Sequence, residues 1–590
     1  MSKEKKSDSD YKPLDIFLFK RLLVFIKPYR KYVYFAIVLT IISAALSPLL
    51  PYLTKIGIDK YITKSNLNGL LKMVLIITGL LVFNSLIRFG MTYLMQWVGQ
   101  KILYDIRIKV YQHIQNLSLR FYDTNPVGRL VTRVTNDIEA LNEMFSSGVV
   151  MIIADVLLIV FIIAFMLYTN KELTFFTLTI LPVLILATSV FRKKVRVTFR
   201  DIRLKISELN SFLNEFITGI STIKLFTQEK NQTSKFNSIN EIHKNLWVRT
   251  VFYYALFFPT VEMLSAIALG IILWFAAGNI LTGLMTVGTL IAFTQYSEMF
   301  FRPIRDLTEK YTTLQSAMAA AERIFTILDT TESLPDSEKA VKLNGFINSL
   351  EFKNVSFSYD NSKWVLNDVS FEIKKGETVA IVGATGAGKT SIINLLNRFY
   401  EFQNGDILFD GTSIRDIKQE SLREHIALVM QDVFLFSRTI SDNISLGKED
   451  ISTEEIKNSA IALGAYDFIN RLTDNFQANV TEGGSTLSSG QRQLISFCRA
   501  YSKNPQILIL DEATSNIDSE TEQIIEKSLN ILLEGRTSLI IAHRLSTIKR
   551  ADKIIVLHKG TIRETGTHKE LLALGGLYAK LYRLQYQYMN

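Results

Sequence analysis

Val379-Ala380-Ile381-Val382-Gly383-Ala384-Thr385-Gly386-Ala387-Gly388-Lys389-Thr390 decides half of the fold. Four apolar residues lead into G-x-x-x-x-G-K-T. Ser391-Ile392-Ile393-Asn394-Leu395-Leu396 follows with helical character. A buried strand, a glycine-rich turn and a helix together make a cradle for phosphates. The glycines let backbone N–H groups close around anionic oxygens, and the helix N-terminus adds positive potential. Lys389 reaches the β- and γ-phosphates, and the Thr390 hydroxyl suits Mg2+. Residues 383–390 are therefore candidate nucleotide-binding residues.

From about residue 347 short strands alternate with helices, which predicts a mainly parallel sheet. Ile507-Leu508-Ile509-Leu510-Asp511-Glu512 is an apolar strand ending in two carboxylates, about 120 residues beyond the glycine-rich turn. A strand that stops at acids places them at the carboxyl edge of the sheet, beside the phosphates. Asp511 suits Mg2+, directly or through water, and Glu512 suits polarising an attacking water.

The residues before this region belong to a different solvent. The chain has 590 residues, 48% apolar and 21% charged, with a net charge of +10. Its mean hydropathy is +0.19. That apolar content excludes a disordered chain, and positive hydropathy over this length argues against an ordinary soluble enzyme. The single cysteine, Cys498, excludes an intramolecular disulfide framework and a zinc site built on several thiolates. Six stretches reach the length a bilayer demands, near residues 33–54, 70–96, 147–169, 173–191, 251–279 and 285–304. Basic residues crowd before the first of these (Lys20, Arg21, Lys27, Arg30, Lys31) and in the two long loops. By the positive-inside rule both termini and both long loops are cytosolic. Membrane topology explains the basic excess, so no nucleic-acid partner is implied. The long loops, 99–146 and 192–250, read as helical extensions into the cytosol.

Leu487-Ser488-Ser489-Gly490-Gln491 makes a family resemblance specific. It is close to L-S-G-G-Q, the signature of ATP-binding cassette (ABC) transporters, and precedes the Asp511-Glu512 strand by about 20 residues. The chain resembles a half-transporter of the type I (type IV fold) ABC exporters over nearly its whole length. The resemblance implies an α-helical membrane domain of six transmembrane helices fused to an α/β P-loop ATPase domain. The expected divisions are a cytosolic segment 1–32, a membrane domain 33–320, a linker 321–346 and a nucleotide-binding domain 347–590. It also implies ATP and Mg2+ as cofactors and residence in the cytoplasmic membrane. Tyr359 is the residue expected to stack on adenine. Gln431 is expected to sense the γ-phosphate and Mg2+, alongside Thr390 and Asp511. Ser515, Asn516 and Asp518 fall in the D-loop, and His543 stands as the switch histidine beside the catalytic Glu512. The segments 121–130 and 215–224 resemble the loops that carry coupling helices. In the family two chains sandwich two ATP molecules, each signature serving the partner's P-loop.

Two departures from the family pattern bear on the partner. Ser489 replaces a glycine of the signature, and Ser515-Asn516-Ile517-Asp518 replaces S-A-L-D. One reading is tolerated variation in a homodimer. The other is a heterodimer in which this chain keeps the catalytic glutamate and lends an altered signature to its partner, and the resemblance favours it. The expected activity is ATP-driven export of lipophilic or amphiphilic compounds, with a lipid flippase or peptide exporter as the alternative. Asp155, Glu262, Gln295 and Glu298 are polar groups inside apolar spans. Such groups line a cavity or pair with one another. The pairing alternative would set the acids against Arg88 or Arg302.

Overall fold

The computed structural model describes residues 16–360, 362–448, 450–511, 519–542 and 545–586. They pack as two units, one of residues 16–115 and 127–330, the other of residues 116–126 and 331–586.

The first unit is helical throughout. Its long elements are Arg30–Leu46, Leu67–Gln115, Val149–Thr169, Leu181–Thr218, Glu229–Leu281 and Val287–Leu328. Among the described residues five helical stretches are long and apolar enough to cross a membrane: Phe17–Ile62, Leu67–Gln115, Val127–Thr169, Lys171–Thr218 and Glu229–Leu281. The sixth expected span, 285–304, falls in Val287–Leu328. That helix has the length, but Thr289, Thr294, Gln295, Ser297 and Glu298 interrupt its apolar run. The 53 residues of Glu229–Leu281 extend roughly 80 Å at 1.5 Å per residue. A hydrocarbon core of about 30 Å therefore leaves much of this helix in water, which is why its first half is rich in Asn, Lys and Glu. Side chains such as Leu75, Phe83, Leu86 and Leu186 remain exposed, as expected where lipid is the solvent. Inside the bundle Ile162, Met166, Ile272, Phe293 and Tyr296 form a buried cluster, and the Tyr296 hydroxyl donates to the Pro48 carbonyl at 3.0 Å.

Among the described residues the second unit has ten strands: β1 (Ser349–Phe357), β2 (Leu366–Lys374), β3 (Thr378–Val382), β4 (Asn404–Phe409), β5 (Thr412–Ser413), β6 (Ile426–Val429), β7 (Ile507–Asp511), β8 (Thr537–Ile541), β9 (Lys553–His558) and β10 (Thr561–Gly566). One sheet has the order β2-β1-β4-β5 and its strands pair antiparallel. The other has the order β10-β9-β3-β8-β7-β6. Its strands are parallel except for the hairpin strand β10. Alternation along a strand sends successive side chains to opposite faces. Ile507 and Ile509 thus join the cluster shared with Phe352 and Ile407 of the antiparallel sheet. Leu508 and Leu510 face the cluster that holds Leu494, Ile495 and Cys498.

Residues 116–126 pack with this second unit. The short helix Leu119–Thr124 is held there by the Ser118 amide, which donates to the Glu332 carbonyl at 2.7 Å, and Phe121 is buried. Residues 331–346 are extended along the same unit. The Val341 amide donates to Asp416 at 2.8 Å, and Arg398 meets Asp336 at 3.2 Å.

Candidate functional site

The parallel register aligns four strand ends along one edge of the sheet. Ile381 pairs with Ile541 across β3 and β8, Asp511 pairs with Ile541 across β7 and β8, and Leu510 pairs with Val429 across β7 and β6. The turn Gly383–Gly388 follows β3, Asp511 ends β7, and Gln431 comes two residues after β6. A carboxyl edge of this kind is where open α/β sheets bind ligands.

The turn itself needs its glycines. Gly388 has φ +103, and a Cβ there would lie 2.7 Å from Leu366 Cδ2 and 2.9 Å from the Val365 carbonyl oxygen. A Cβ at Gly383 would lie 2.3 Å from the carbonyl oxygen of Leu557. Gly388 caps the helix Lys389–Leu396. Ala384, Thr385, Gly386 and Thr390 are exposed, while Ala387 is buried beneath them. Lys389 is buried and folds back, its ammonium donating to the carbonyls of Gly383 at 2.7 Å and Ala384 at 3.3 Å. Burial lowers its pKa and the charge of Asp511 opposes the shift. Burial likewise raises the pKa of Asp511, against Lys389 and assisted by Asp432. Asp432 was not expected from the sequence, and its place next to Gln431 is the only local signal for it.

Tyr359 is half-buried. Its hydroxyl lies 3.1 Å from Ser391 Oγ and accepts from Asn394 Nδ2 at 3.3 Å, both on the helix that follows the glycine-rich turn. Its ring stands edge-on to Phe357 at 4.7 Å and to Tyr400 at 4.9 Å. Local structure therefore brings the expected aromatic residue against the phosphate helix. Gln431 is exposed beyond β6. Glu512, His543, Ser515, Asn516 and Asp518 lie outside the described residues.

The signature residues form the start of the helix Ser489–Ser502. Ser488 is its N-cap: its hydroxyl accepts from the Gln491 amide at 3.2 Å, while the Gln491 side chain accepts from the Ser488 amide at 3.0 Å. This reciprocal capping box explains why serine and glutamine belong three residues apart. Leu487 and Gly490 are buried, Ser489 is half-buried and Ser488 is exposed. Arg492 braces the preceding turn by donating to the Leu487 carbonyl at 2.7 Å. The exposed Ser488 leaves the start of this helix open to solvent.

The polar residues of the first unit do not form one constellation. Asp155 is an ion-pair partner of Lys310, a residue beyond the expected spans and so missed from the sequence. Arg88 instead donates to Ser47 Oγ at 3.3 Å. Glu262 and Glu298 are exposed and Gln295 is half-buried. Among the described residues no group of three or more His, Cys, Asp or Glu side chains converges on a metal site.

Residues 33–304 match the ABC transporter transmembrane region family and residues 366–515 match the ABC transporter family. The chain is 42% identical over 571 residues to the uncharacterized ABC transporter ATP-binding protein YknV of Bacillus subtilis, covering 96% of this chain and 94% of that protein. It is 38% identical over 522 residues to another protein of that organism, named "Probable multidrug resistance ABC transporter ATP-binding/permease protein YheH", covering 88% and 77%. An ATP-dependent lipid A-core flippase of Syntrophus aciditrophicus is 36% identical over 574 residues, with 97% and 95% covered. The structure of a bacterial Atm1-family ABC exporter with ATP bound superposes with a TM-score of 0.77 at 27% identity, over 94% of this chain and 99% of that one. The chain belongs to the ABC transporter family, as an exporter half-transporter whose transmembrane region is fused to one ATPase domain that couples ATP hydrolysis to transport.

Proposed function

We propose that the protein exports lipophilic or amphiphilic compounds of the multidrug type by alternating access. It acts as one half of a dimer in the cytoplasmic membrane, with both termini and the ATPase domain in the cytosol. The observation that carries the reading is the alignment of the β3, β6 and β7 ends, which sets Lys389, Gln431 and Asp511 along one edge. The similarity to a protein named for multidrug resistance supports the substrate class.

In this reading Tyr359 stacks on adenine and residues 383–390 wrap the phosphates. The Lys389 ammonium exchanges the Gly383 and Ala384 carbonyls for phosphate oxygens. The donor set fits Mg2+: the exposed Thr390 hydroxyl, the exposed Gln431 amide oxygen and the Asp511 carboxylate, whose burial beside Asp432 favours a cation. When bound, the ion neutralises phosphate charge. Glu512 orients and deprotonates the attacking water, and His543 contacts the γ-phosphate. Leu487, Ser488, Ser489, Gly490 and Gln491 present the signature helix N-terminus to ATP held by the partner chain. Ser515, Asn516 and Asp518 serve as the D-loop. The partner is a second half-transporter, and Ser489 in the signature favours a heterodimer. Glu262, Gln295 and Glu298 border the path of an amphiphile, while Asp155 pairs with Lys310.

A second reading, a homodimeric lipid flippase, is supported by the similarity to the lipid A-core flippase. One experiment separates them. The tagged chain is purified with whatever accompanies it and reconstituted into vesicles. ATPase activity and uphill movement of a fluorescent lipophilic cation and of a fluorescent phospholipid are then measured, with Glu512→Gln as the control. Cation uptake lost in Glu512→Gln, with a different half-transporter at equal stoichiometry, is the expected result. Phospholipid movement alone, by a homodimer, would replace this proposal with the second reading.

A further inference from the structure

The N-terminal helix Ile16–Ile26 turns through Lys27–Tyr29 into the first membrane helix, Arg30–Leu46. A groove of about 480 Å³ lies at that turn, lined by Val24, Lys27, Pro28, Arg30 and Lys31. Its three cations are exposed, and among the described residues none of them has an ion-pair partner. Val24 and Pro28 supply an apolar wall. The N-terminal helix buries Leu22 and exposes Phe17, Leu23 and Val24, as an interfacial helix does.

Aromatic residues mark the depth of this groove independently of charge. Tyr29 and Tyr32 stand edge-on to Trp97 at 6.3 and 5.1 Å, and Lys101 lies over the same indole at 5.8 Å. The Tyr29 hydroxyl donates to Asp105 at 2.9 Å. Clustered Tyr and Trp rings sit at the headgroup level of a bilayer. Beyond them Tyr34, Phe35, Val38 and Ile41 are exposed along the first membrane helix, at acyl-chain depth.

The same N-terminal helix grips the far end of the last helix. Arg21 donates through both terminal nitrogens to the two carboxylate oxygens of Asp329, each at 2.6 Å. Its guanidinium lies 4.0 Å from the centre of the Phe325 ring. Asp329 is the C-cap of Val287–Leu328, immediately before the chain leaves for residues 331–346. His113 adds a hydrogen bond to the Thr330 carbonyl at 3.0 Å.

We propose that the groove at Lys27, Arg30 and Lys31 binds the headgroup of an anionic phospholipid, and that the Arg21–Asp329 clamp passes its occupancy to the end of the last helix. The occupant is a lipid because the three cations, the apolar wall and the aromatic rings share one interface. Clustered basic residues at the cytosolic face recognise anionic headgroups by charge. The proposal rests on the exporter reading for its orientation, with this turn on the cytosolic side.

The test uses the full chain in its co-purified assembly, in nanodiscs of phosphatidylcholine alone and with phosphatidylglycerol added. Two quantities are read: ATPase activity, and the lipids retained on gentle delipidation, by native mass spectrometry. The wild type is expected to retain phosphatidylglycerol preferentially and to hydrolyse ATP faster in its presence. The triple variant K27Q/R30Q/K31Q should keep its activity in phosphatidylcholine and lose the preference, on the order of fivefold per cation removed. Arg21→Gln should retain the lipid while losing the stimulation. A wild type indifferent to phosphatidylglycerol overturns the site, and the wild-type measurement decides this even where the triple variant inserts poorly. Stimulation that survives in Arg21→Gln overturns the clamp. Absence of ATPase activity in every disc would remove the exporter reading, while lipid retention would still decide the groove.

Discussion

The phenol of Tyr400 donates a hydrogen bond to the carboxylate of Asp123, and the same ring stands edge-on to Tyr359 at 4.9 Å. Asp123 lies on the helix Leu119–Thr124 of the first long loop, and Tyr359 is the expected adenine platform. One side chain thus touches both. Tyr400→Phe keeps the ring contact and removes the only donor it offers Asp123. A hydrogen bond to a charged group is worth about 1.5–3 kcal/mol. The variant is expected to bind ATP within about twofold of wild type by this account, and to lose most substrate stimulation of ATPase activity. Loss of ATP affinity with stimulation intact would show that the ring, and not the bond, matters. Burial, and then the hydrogen bond to Asp123, hold the Tyr400 hydroxyl above the ordinary phenol range. Its stabilising effect is therefore fully present below about pH 10 and is lost only as pH rises toward the raised value.

Asp511 gives a second pH-dependent expectation. Burial raises its folded-state pKa above the ordinary carboxylate value. Its contribution to the stability of nucleotide-free protein is complete below about pH 4 and is lost as pH rises through the raised value. Asp511→Asn removes that loss. At neutral pH the nucleotide-free variant should melt above the wild type, and the gap should close on acidification. The same variant should hydrolyse little ATP. Thermal melts at several pH values, with a parallel ATPase assay, check both halves.

Ser488 carries two duties, as helix cap and as a group presented to the partner's ATP. Ser488→Ala should cost about 1 kcal/mol through the lost cap. Ser488→Asp, which restores a capping oxygen, should recover the melting temperature but not turnover, because a carboxylate repels the γ-phosphate. Recovery of both would confine Ser488 to its structural duty.

Asp155 and Lys310 form an ion pair with side chains only 16% and 20% exposed. This pair is part-buried, so removing one partner costs less than the about 3–5 kcal/mol of a fully buried pair. Asp155→Asn is accordingly expected to lower thermal stability, and the exchange D155K/K310D to restore most of it. If Asp155→Asn leaves stability unchanged and weakens substrate-stimulated ATPase activity, the carboxylate serves the substrate.

The glycine-rich turn was legible because its geometry is written locally. G-x-x-x-x-G-K-T needs its glycines within a few residues, as the close approaches at Gly383 and Gly388 confirm. Ser488 and Gln491 need a spacing of three because one helical turn separates a cap from the amide it accepts. The apolar stretches were legible because bilayer thickness fixes their length. The sixth was the weakest, since Gln295 and Glu298 break its apolar run.

What only the tertiary structure decided are the pairings between distant residues. Tyr400 and Asp123 are 277 positions apart, Lys310 and Asp155 are 155 apart, and Arg21 and Asp329 are 308 apart. Periodicity says which face of a helix is apolar, but not which helix it meets or at what height. The sequence offered Arg88 or Arg302 as pairing partners for Glu262 and Glu298 and named none for Asp155, which the fold sets against Lys310. The local sequence by itself determined that this chain has membrane-spanning stretches and a P-loop ATPase domain, because those follow from local solvation and local backbone geometry. Which charge meets which was decided by packing, since a carboxylate accepts from whichever donor the fold carries to it.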